Sequence, residues 1–200
     1  YIPNCIDSSI YKFKLRKKIR PRIIWLRSFH EIYNPTMAIN VLKILNDYYS
    51  DSQLTMIGPD KDGSLKRCQE LSKKYSLSHK INFVGYLKKN KWMKIAKDYD
   101  IFINTSKIDN MPVSILEMMA LGLPIVSTDV GGIPFILEHG KNSLLVKDND
   151  AQNMAYQIKY LIDNPSFAYK ISMKAFENSK RFSTDLVVPE WSKIIKKYSI

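Results

Sequence analysis

Six short apolar runs alternate with longer amphipathic segments, and this alternation limits the possible folds more than any other feature of the chain. The runs are mostly apolar at consecutive positions, which is typical of parallel strands covered on both faces. Strands that alternate with helices in this way predict an α/β fold, a doubly wound parallel sheet with helices on both faces. The predicted strands are Ile23–Arg27, Gln53–Ile57, Ile81–Val84, Ile101–Asn104, Ile125–Ser127 and Ser143–Val146.

The segments between the runs carry helix signals. Asn34 precedes a proline at the first helical position, Gly122 stands where a left-handed C-cap is needed, and Asn149 and Asp150 can cap a later helix. The first predicted helix opens at Pro35. The others are Leu65–Tyr75, Lys91–Tyr99, Val113–Leu121, Ala151–Ile162, Pro165 to about Phe182, and a last one from Ser183 or Thr184 to near Tyr198, with one or two turns at Ile133–Glu138.

The chain is basic, with 31 Lys and Arg against 19 Asp and Glu and a formal net charge of +12. The run from Lys12 to Arg22 is predicted to be a solvated linker; a patch that meets acidic lipid or nucleic acid is the alternative. No apolar stretch reaches the roughly 18 residues of a membrane helix. Cys5 and Cys68 are too few for a disulfide framework or a four-cysteine zinc site, which favours a reduced cytoplasmic protein. A chain that begins at Tyr1 is expected to be a fragment.

The segment from Thr105 to Glu117 follows the fourth predicted strand and opens a helix. Free N–H groups at the helix start, at Val113, Ser114 and Ile115, form a site suited to phosphate. A carboxylate one turn later, at Glu117, can accept two hydrogen bonds from a ribose diol, and Asp109 in the loop can accept from sugar hydroxyls. The alternative is that Asp109 and Asn110 form a turn and Glu117 only complements the helix dipole.

The stretch from Asp109 to Gly132 resembles the Glu-x7-Glu region of retaining glycosyltransferases of family 4, GT-B enzymes with two facing Rossmann-like domains. Tyr1-Ile-Pro-Asn resembles the hinge of those enzymes. Met56-Ile-Gly-Pro-Asp resembles a strand and its loop, and Asn82-Phe-Val-Gly-Tyr the strand end that holds the base. The resemblance implies one Rossmann-like half of a GT-B fold. Residues 1–22 would be a hinge or linker, and residues 23–200 a nucleotide-sugar donor-binding domain that includes the C-terminal helices.

The resemblance also implies roles for individual residues. Glu117 would hold the ribose hydroxyls, and Asp109, one methylene shorter than the family's Glu, would touch the donor sugar. Arg27 matches the family's diphosphate Arg, which balances leaving-group charge without a metal; a surface ion pair is the alternative. Gly85 and Tyr86 would contact the base, although Tyr86 can also be read as a loop aromatic. Backbone groups would meet the sugar and phosphates along the remaining donor-binding residues, Asn110, Met111, Pro112, Val113 and Ser114.

One departure from the family concerns a second cation. The family usually has Lys five residues after the Arg, where this chain has Ile32, so that cation is missing or comes from His30 or from elsewhere. Gly131 and Gly132 are interpreted as a tight turn beside the site rather than a phosphate cradle. No His, Cys or Asp spacing indicates a metal site. We therefore expect no cofactor and no metal, with the nucleotide-sugar as donor substrate.

The function implied is a retaining glycosyltransferase of hexosyltransferase type that transfers a sugar to a glycan or lipid-linked acceptor in polysaccharide biosynthesis. The acceptor would bind an N-terminal domain of about another 150 residues, absent here, so the fragment alone is expected to be inactive. We expect a cytoplasmic protein with peripheral contact to the inner membrane face and no nucleic-acid partner. The alternatives are a nucleotide-sugar epimerase of GT-B architecture and a non-catalytic nucleotide-binding module.

Overall fold

The computed structural model describes residues 2–198, so the first residue of the expected hinge, Tyr1, lies outside the described residues. Within this range the chain forms a six-stranded parallel sheet in the order β3-β2-β1-β4-β5-β6. The doubly wound prediction is therefore confirmed. The strand order reverses between β1 and β4, the point at which such sheets bind ligands. The strands are β1 Arg22–Leu26, β2 Gln53–Ile57, β3 Ile81–Gly85, β4 Ile101–Asn104, β5 Ile125–Thr128 and β6 Leu144–Val146.

Seven α-helices connect and follow the strands in the described part of the chain: α1 Pro35–Asn46, α2 Ser64–Lys74, α3 Lys89–Ala96, α4 Val113–Leu121, α5 Ala151–Asp163, α6 Pro165–Ser179 and α7 Thr184–Tyr198. The signals at α4 and α5 are confirmed. Gly122 adopts φ +72° after α4, and the Asp150 side chain accepts from the N–H of Asn153. Asn34 precedes α1 as predicted, but its side chain makes no capping bond to the helix.

The one or two turns expected at Ile133–Glu138 form a single 3₁₀ turn, Ile133–Phe135. Two other helix predictions need correction. The helix from Pro165 ends at Ser179, before a second 3₁₀ turn, Lys180–Phe182. Helix α3 starts two residues earlier than expected and stops at Ala96. It stops there because the N–H groups of Asp98 and Tyr99 donate to carbonyls three residues back, which tightens the chain into turns.

Alternate residues of each strand feed two apolar cores, one on each face of the sheet. In β1, Ile23 and Trp25 face the core covered by α1, α2 and α5, and Ile24 faces the core covered by α3 and α4. Helix α6 contributes to both, through Ile171 on the first and Ala175 on the second. Burial on both faces explains why the strands are continuously apolar in sequence.

The segment before β1 packs on the domain, which corrects the expectation of a solvated run. Ile6 and Tyr11 are buried in the second core, and Arg16 is only 6% exposed. The backbone of Ile6 hydrogen-bonds to that of Phe182 and of Thr184, so this segment is tied to the start of α7. The exposed part of the run consists of side chains such as Lys12, Lys14, Lys17 and Lys18. Among residues 2–198, no helix is both long enough and apolar enough to cross a bilayer.

Candidate functional site

A hollow of about 260 Å³ lies at the carboxyl ends of β1, β2 and β3, next to the N-terminus of α4. Doubly wound sheets bind ligands in this position, because the loops that follow the strands diverge there. The hollow brings together five of the ten residues predicted from the sequence: Arg27, Tyr86, Val113, Ser114 and Glu117.

The first turn of α4 presents unpaired donors to the hollow. The N–H groups of Val113 and Ser114 have no hydrogen-bond partner among the described residues, and Pro112 gives the helix no side-chain cap. The Ser114 hydroxyl is buried and likewise unpartnered within the described residues. The N–H of Ile115 donates to the Pro112 carbonyl at 3.0 Å, so the expected third free donor is not available. Two amides and one hydroxyl therefore remain for an anion at the positive end of the helix.

Glu117 lies one turn further along α4 and lines the hollow although it is only 5% exposed. The Tyr11 hydroxyl donates to its Oε1 at 2.8 Å, and Lys89 Nζ lies 3.0 Å from the same oxygen. Burial raises the pKa of Tyr11, and the charge of Glu117 raises it further, so the phenol remains a donor at neutral pH. The carboxylate is thus held on one oxygen by partners outside the hollow.

Arg27 follows β1 and meets the loop after β4, because these two strands are neighbours at the switch point. Its guanidinium forms an ion pair with Asp109 and lies 4.2 Å from the ring centroid of Tyr33. The side chains of Arg27 and Asp109 are 20% and 7% exposed, so the contact is a partly buried pair rather than the surface ion pair of the alternative. Arg27 Nε is buried and has no partner among the described residues, which leaves a donor beside the hollow.

The other predicted residues lie around the hollow rather than in its wall. The carboxylate of Asp109 accepts from the Ser106 hydroxyl as well as pairing with Arg27. The Gly85 carbonyl accepts from the N–H of Gly58, which does line the hollow. Asn110 is exposed, and the Met111 carbonyl accepts from the side chain of Asn4 at 2.9 Å. Tyr86 stands at the rim with 69% of its surface exposed, so its ring is free to stack.

The two glycines after β5 support the loop that carries Asp109. The N–H of Gly132 donates to the Asp109 carbonyl at 2.9 Å, and a Cβ at Gly132 would overlap the carbonyl of Asn110. The close approach of two backbones requires glycine there, which agrees with a turn beside the site.

Sequence reasoning missed three side chains that shape the site, Tyr11, Tyr33 and Lys89. The clustered lysines after Tyr86 were a signal for Lys89, since they open the helix that follows β3. Nothing local marks Tyr11, which is 106 residues from Glu117 in sequence. His30 caps a 3₁₀ turn through Nδ1 and does not line the hollow. Within residues 2–198, no cluster of three or more His, Cys, Asp or Glu side chains is arranged for a metal ion.

Comparison with known proteins identifies related sequences. Residues 7–181 match the sequence model of the family described as Glycosyl transferases group 1. An uncharacterized glycosyltransferase of Haemophilus influenzae is 25% identical over 158 residues, which are 78% of this chain and 44% of that protein. The amylovoran biosynthesis glycosyltransferase AmsK of Erwinia amylovora is 28% identical over 159 residues, 75% of this chain and 38% of AmsK.

A solved structure shares the fold. The crystal structure of Anabaena HepE in complex with UDP-glucose superimposes with a TM-score of 0.87 at 18% identity, over 98% of this chain and 57% of HepE. At this identity the likeness shows the architecture alone. The chain spans less than half the length of the two curated relatives described above.

Proposed function

We propose, since the chain belongs to the group 1 family of glycosyl transferases, that it is the part of such an enzyme that binds the nucleotide-sugar donor. The observation that carries the proposal is the convergence on one hollow of the Glu117 carboxylate, the free amides of Val113 and Ser114, and the Arg27 guanidinium. A nucleoside diphosphate needs these groups: an acceptor for its ribose hydroxyls and donors for its phosphates.

Each of these protein groups has a proposed role in binding the donor. Glu117 accepts from the ribose hydroxyls, and the α4 amides and Arg27 meet the diphosphate. Tyr86 covers the base with its exposed ring. Asp109 is the proposed contact to the donor sugar, and its ion pair with Arg27 links the sugar end of the site to the phosphate end.

The proposed reaction is transfer of a hexosyl group with retention at the anomeric carbon. As the bond to the diphosphate breaks, negative charge develops on the leaving oxygen, and preorganised donors stabilise it. Arg27 and the α4 amides supply such donors, so we propose that the reaction needs no metal cofactor. The epimerase alternative requires a second acid or base at the site, and the described lining offers Glu117 as its sole carboxylate and no histidine.

The proposed domain organisation assigns residues 1–22 to the connection and residues 23–200 to the donor domain. A preceding domain of the same protein would hold the acceptor, a glycan or a lipid-linked sugar. We therefore propose that the isolated chain binds the nucleotide without turning over. Donor consumption by the purified chain would contradict the assignment of donor and acceptor binding to separate domains.

We also propose a cytoplasmic protein whose donor domain touches an anionic bilayer at the inner membrane face. A groove of about 410 Å³ is lined by the apolar side chains of Ile10, Met93 and Leu121 and by four lysines, Lys12, Lys89, Lys94 and Lys97, of which Lys89 is paired with Glu117. The groove thus combines cations for lipid phosphate with an apolar surface for the upper acyl chains.

Ligand binding tests the donor-site assignment. A thermal-shift panel of UDP, GDP, ADP and their sugars should identify the base through the largest stabilisation, since binding to the native state raises stability. Glu117→Ala is then expected to weaken the preferred diphosphate by roughly 1–3 kcal/mol in titration calorimetry, the cost of a lost charged hydrogen bond. Glu190→Ala, an exposed carboxylate on α7, is the matched control. Unchanged affinity in Glu117→Ala would remove Glu117 from the site.

A further inference from the structure

We infer that Tyr11 and Lys89 are positioning residues that hold the Glu117 carboxylate for the ribose hydroxyls, so that the segment before β1 completes the donor site. The inference rests on the proposed function, in which Glu117 accepts hydrogen bonds from the ribose. It adds two residues from outside the hollow and a dependence of nucleotide affinity on residues 2–21.

Both contacts to the carboxylate fall on the same oxygen. Tyr11 donates to Oε1 at 2.8 Å, and Lys89 Nζ lies 3.0 Å from Oε1. No described residue gives Oε2 a hydrogen bond or ion pair, and Glu117 forms part of the wall of the hollow. Two partners on Oε1 fix the rotation of the carboxylate, which leaves Oε2 to accept from a ligand.

The position of the Tyr11 side chain is fixed by its burial and by hydrogen bonds on both sides of it in the chain. Tyr11 is 6% exposed and belongs to the core beneath α4, and the chain is anchored on both sides of it. Before Tyr11, the Asn4 side chain donates to the Met111 carbonyl at 2.9 Å. After it, the N–H of Lys14 donates to the Leu121 carbonyl at 3.2 Å. The phenol therefore keeps its place relative to α4 and to the loop before it.

Lys89 approaches the same carboxylate from the solvent side. Its side chain is 49% exposed, and Nζ lies 5.8 Å from the Tyr11 ring centroid, so the ammonium covers both partners. The ammonium and the phenol thus approach Oε1 from two sides and fix the direction of the carboxylate. Because Lys89 is the first residue of α3, the loop after β3 and the segment before β1 act on one carboxylate.

The test separates an effect on the ribose from a general loss of stability. The affinities of UDP, GDP and ADP are compared with those of their 2′,3′-dideoxy counterparts, which lack the hydroxyls. For the base that binds most tightly, calorimetry gives the ratio of the ribose-nucleotide affinity to the dideoxynucleotide affinity. This ratio is measured for the parent chain, for Tyr11→Phe, Lys89→Gln and Glu117→Ala, and for the double variant that combines Tyr11→Phe with Glu117→Ala. Tyr156→Phe, an exposed tyrosine on α5, is the matched control.

We expect the parent chain and the control to prefer the ribose nucleotide, and Glu117→Ala to lose that preference. Tyr11→Phe should reduce the preference roughly fivefold and Lys89→Gln less, with dideoxynucleotide affinity unchanged. The double variant should match Glu117→Ala, because the two residues act through one carboxylate. Melting curves establish that each variant is folded, and the exposed Lys89 tests the same oxygen without disturbing the core.

Two results would be decisive against these assignments, and they differ. If Glu117→Ala loses the ribose preference while Tyr11→Phe and Lys89→Gln keep it, the positioning role is wrong and the donor site stands. If Glu117→Ala itself keeps the preference, the donor-site assignment fails, and the positioning role fails with it.

Discussion

The Arg27 guanidinium pairs with the Asp109 carboxylate and packs against the Tyr33 ring, and the side chain also lines the hollow. A guanidinium suits this position because it is planar, stacks on an aromatic ring and can donate to two oxygens together. Lysine would keep the positive charge, but it could not donate to two oxygens in one plane or stack on the ring. If the proposed donor site is correct, this geometry favours a diphosphate over a single phosphate.

Arg27→Lys should therefore weaken a nucleoside diphosphate more than the corresponding monophosphate. We expect about a tenfold loss for UDP, or for the diphosphate of the preferred base, and less than about a twofold change for the monophosphate. Calorimetric titration with both ligands measures the difference. Arg67→Lys, in an exposed ion pair with Asp62, is the control. Equal losses of affinity for the diphosphate and the monophosphate would show that the Arg27 guanidinium does not contact the second phosphate.

Residues fixed by local signals were predictable, and those fixed by distant contacts were not. Glu117 and Ser114 could be predicted because they follow a strand at the start of a helix, where spacing alone sets their direction. The ion pair between Arg27 and Asp109 was not foreseen, since it depends on β1 and β4 being neighbours. Tyr11 could not be predicted, because its contact with Glu117 comes from the packing of a segment with no periodicity, next to the basic run that the charge pattern marked as solvated.

At the scale of elements, Arg16 joins the ends of two helices. Its guanidinium donates to the Gly122 carbonyl at 2.9 Å beyond α4 and to the Tyr99 carbonyl at 2.7 Å beyond α3. A cation at two helix C-termini complements both dipoles and satisfies carbonyls that have no helical partner. Burial lowers the pKa of Arg16 to about 10, so the side chain is still charged at neutral pH.

Arg16→Met is expected to destabilise the domain by roughly 3–5 kcal/mol, because it removes a buried charge from the carbonyls and from Asp100. Urea denaturation should show a lower midpoint with an unchanged m-value, since the surface exposed on unfolding stays the same. Lys17→Met replaces an exposed cation next in sequence and should leave the midpoint nearly unchanged. A loss below about 1 kcal/mol for Arg16→Met would mean that water replaces the guanidinium at these carbonyls.

The ends of helices were predictable where residues at the end itself determine them, and not where contacts from distant parts of the chain do. Helix α4 begins after Pro112 and ends before Gly122 as predicted, because proline and glycine restrict or permit the backbone where they stand. The end of α3 was predicted three residues too late. The tight turns that end it are accompanied by a contact from Arg16, which donates to the carbonyl of Ala96 at 3.4 Å and to that of Tyr99 at 2.7 Å, and no pattern inside the helix records these bonds.

For the whole molecule, the fold could be predicted because each strand–helix unit carries its own signal and right-handed crossovers leave few ways to join them. The two cores follow from that rule and from strand burial, whereas the strand order β3-β2-β1-β4-β5-β6 was not predicted. The path of residues 2–21 over the second core does not follow, since this segment has no periodicity of its own. That path carries Ile10 and Lys12 to the lysine-lined groove.

The groove gives a prediction at the scale of the whole surface. Sedimentation with phosphatidylcholine vesicles, with or without phosphatidylserine, should show binding that needs the anionic lipid and falls as salt is added. Replacing Lys12, Lys94 and Lys97 with Gln should weaken binding about a hundredfold, at about 1 kcal/mol for each lysine.

The matched triple variant carries Lys66, Lys73 and Lys74 changed to Gln on α2, which covers the opposite face of the sheet. Both triple variants lose the same net charge, so a difference between them isolates the location of the charge from its amount. Because a flat bilayer meets one face of a domain at a time, only the groove variant should lose binding. Equal losses would mean that the +12 net charge acts as a whole, and binding to neutral vesicles would exclude an electrostatic contact.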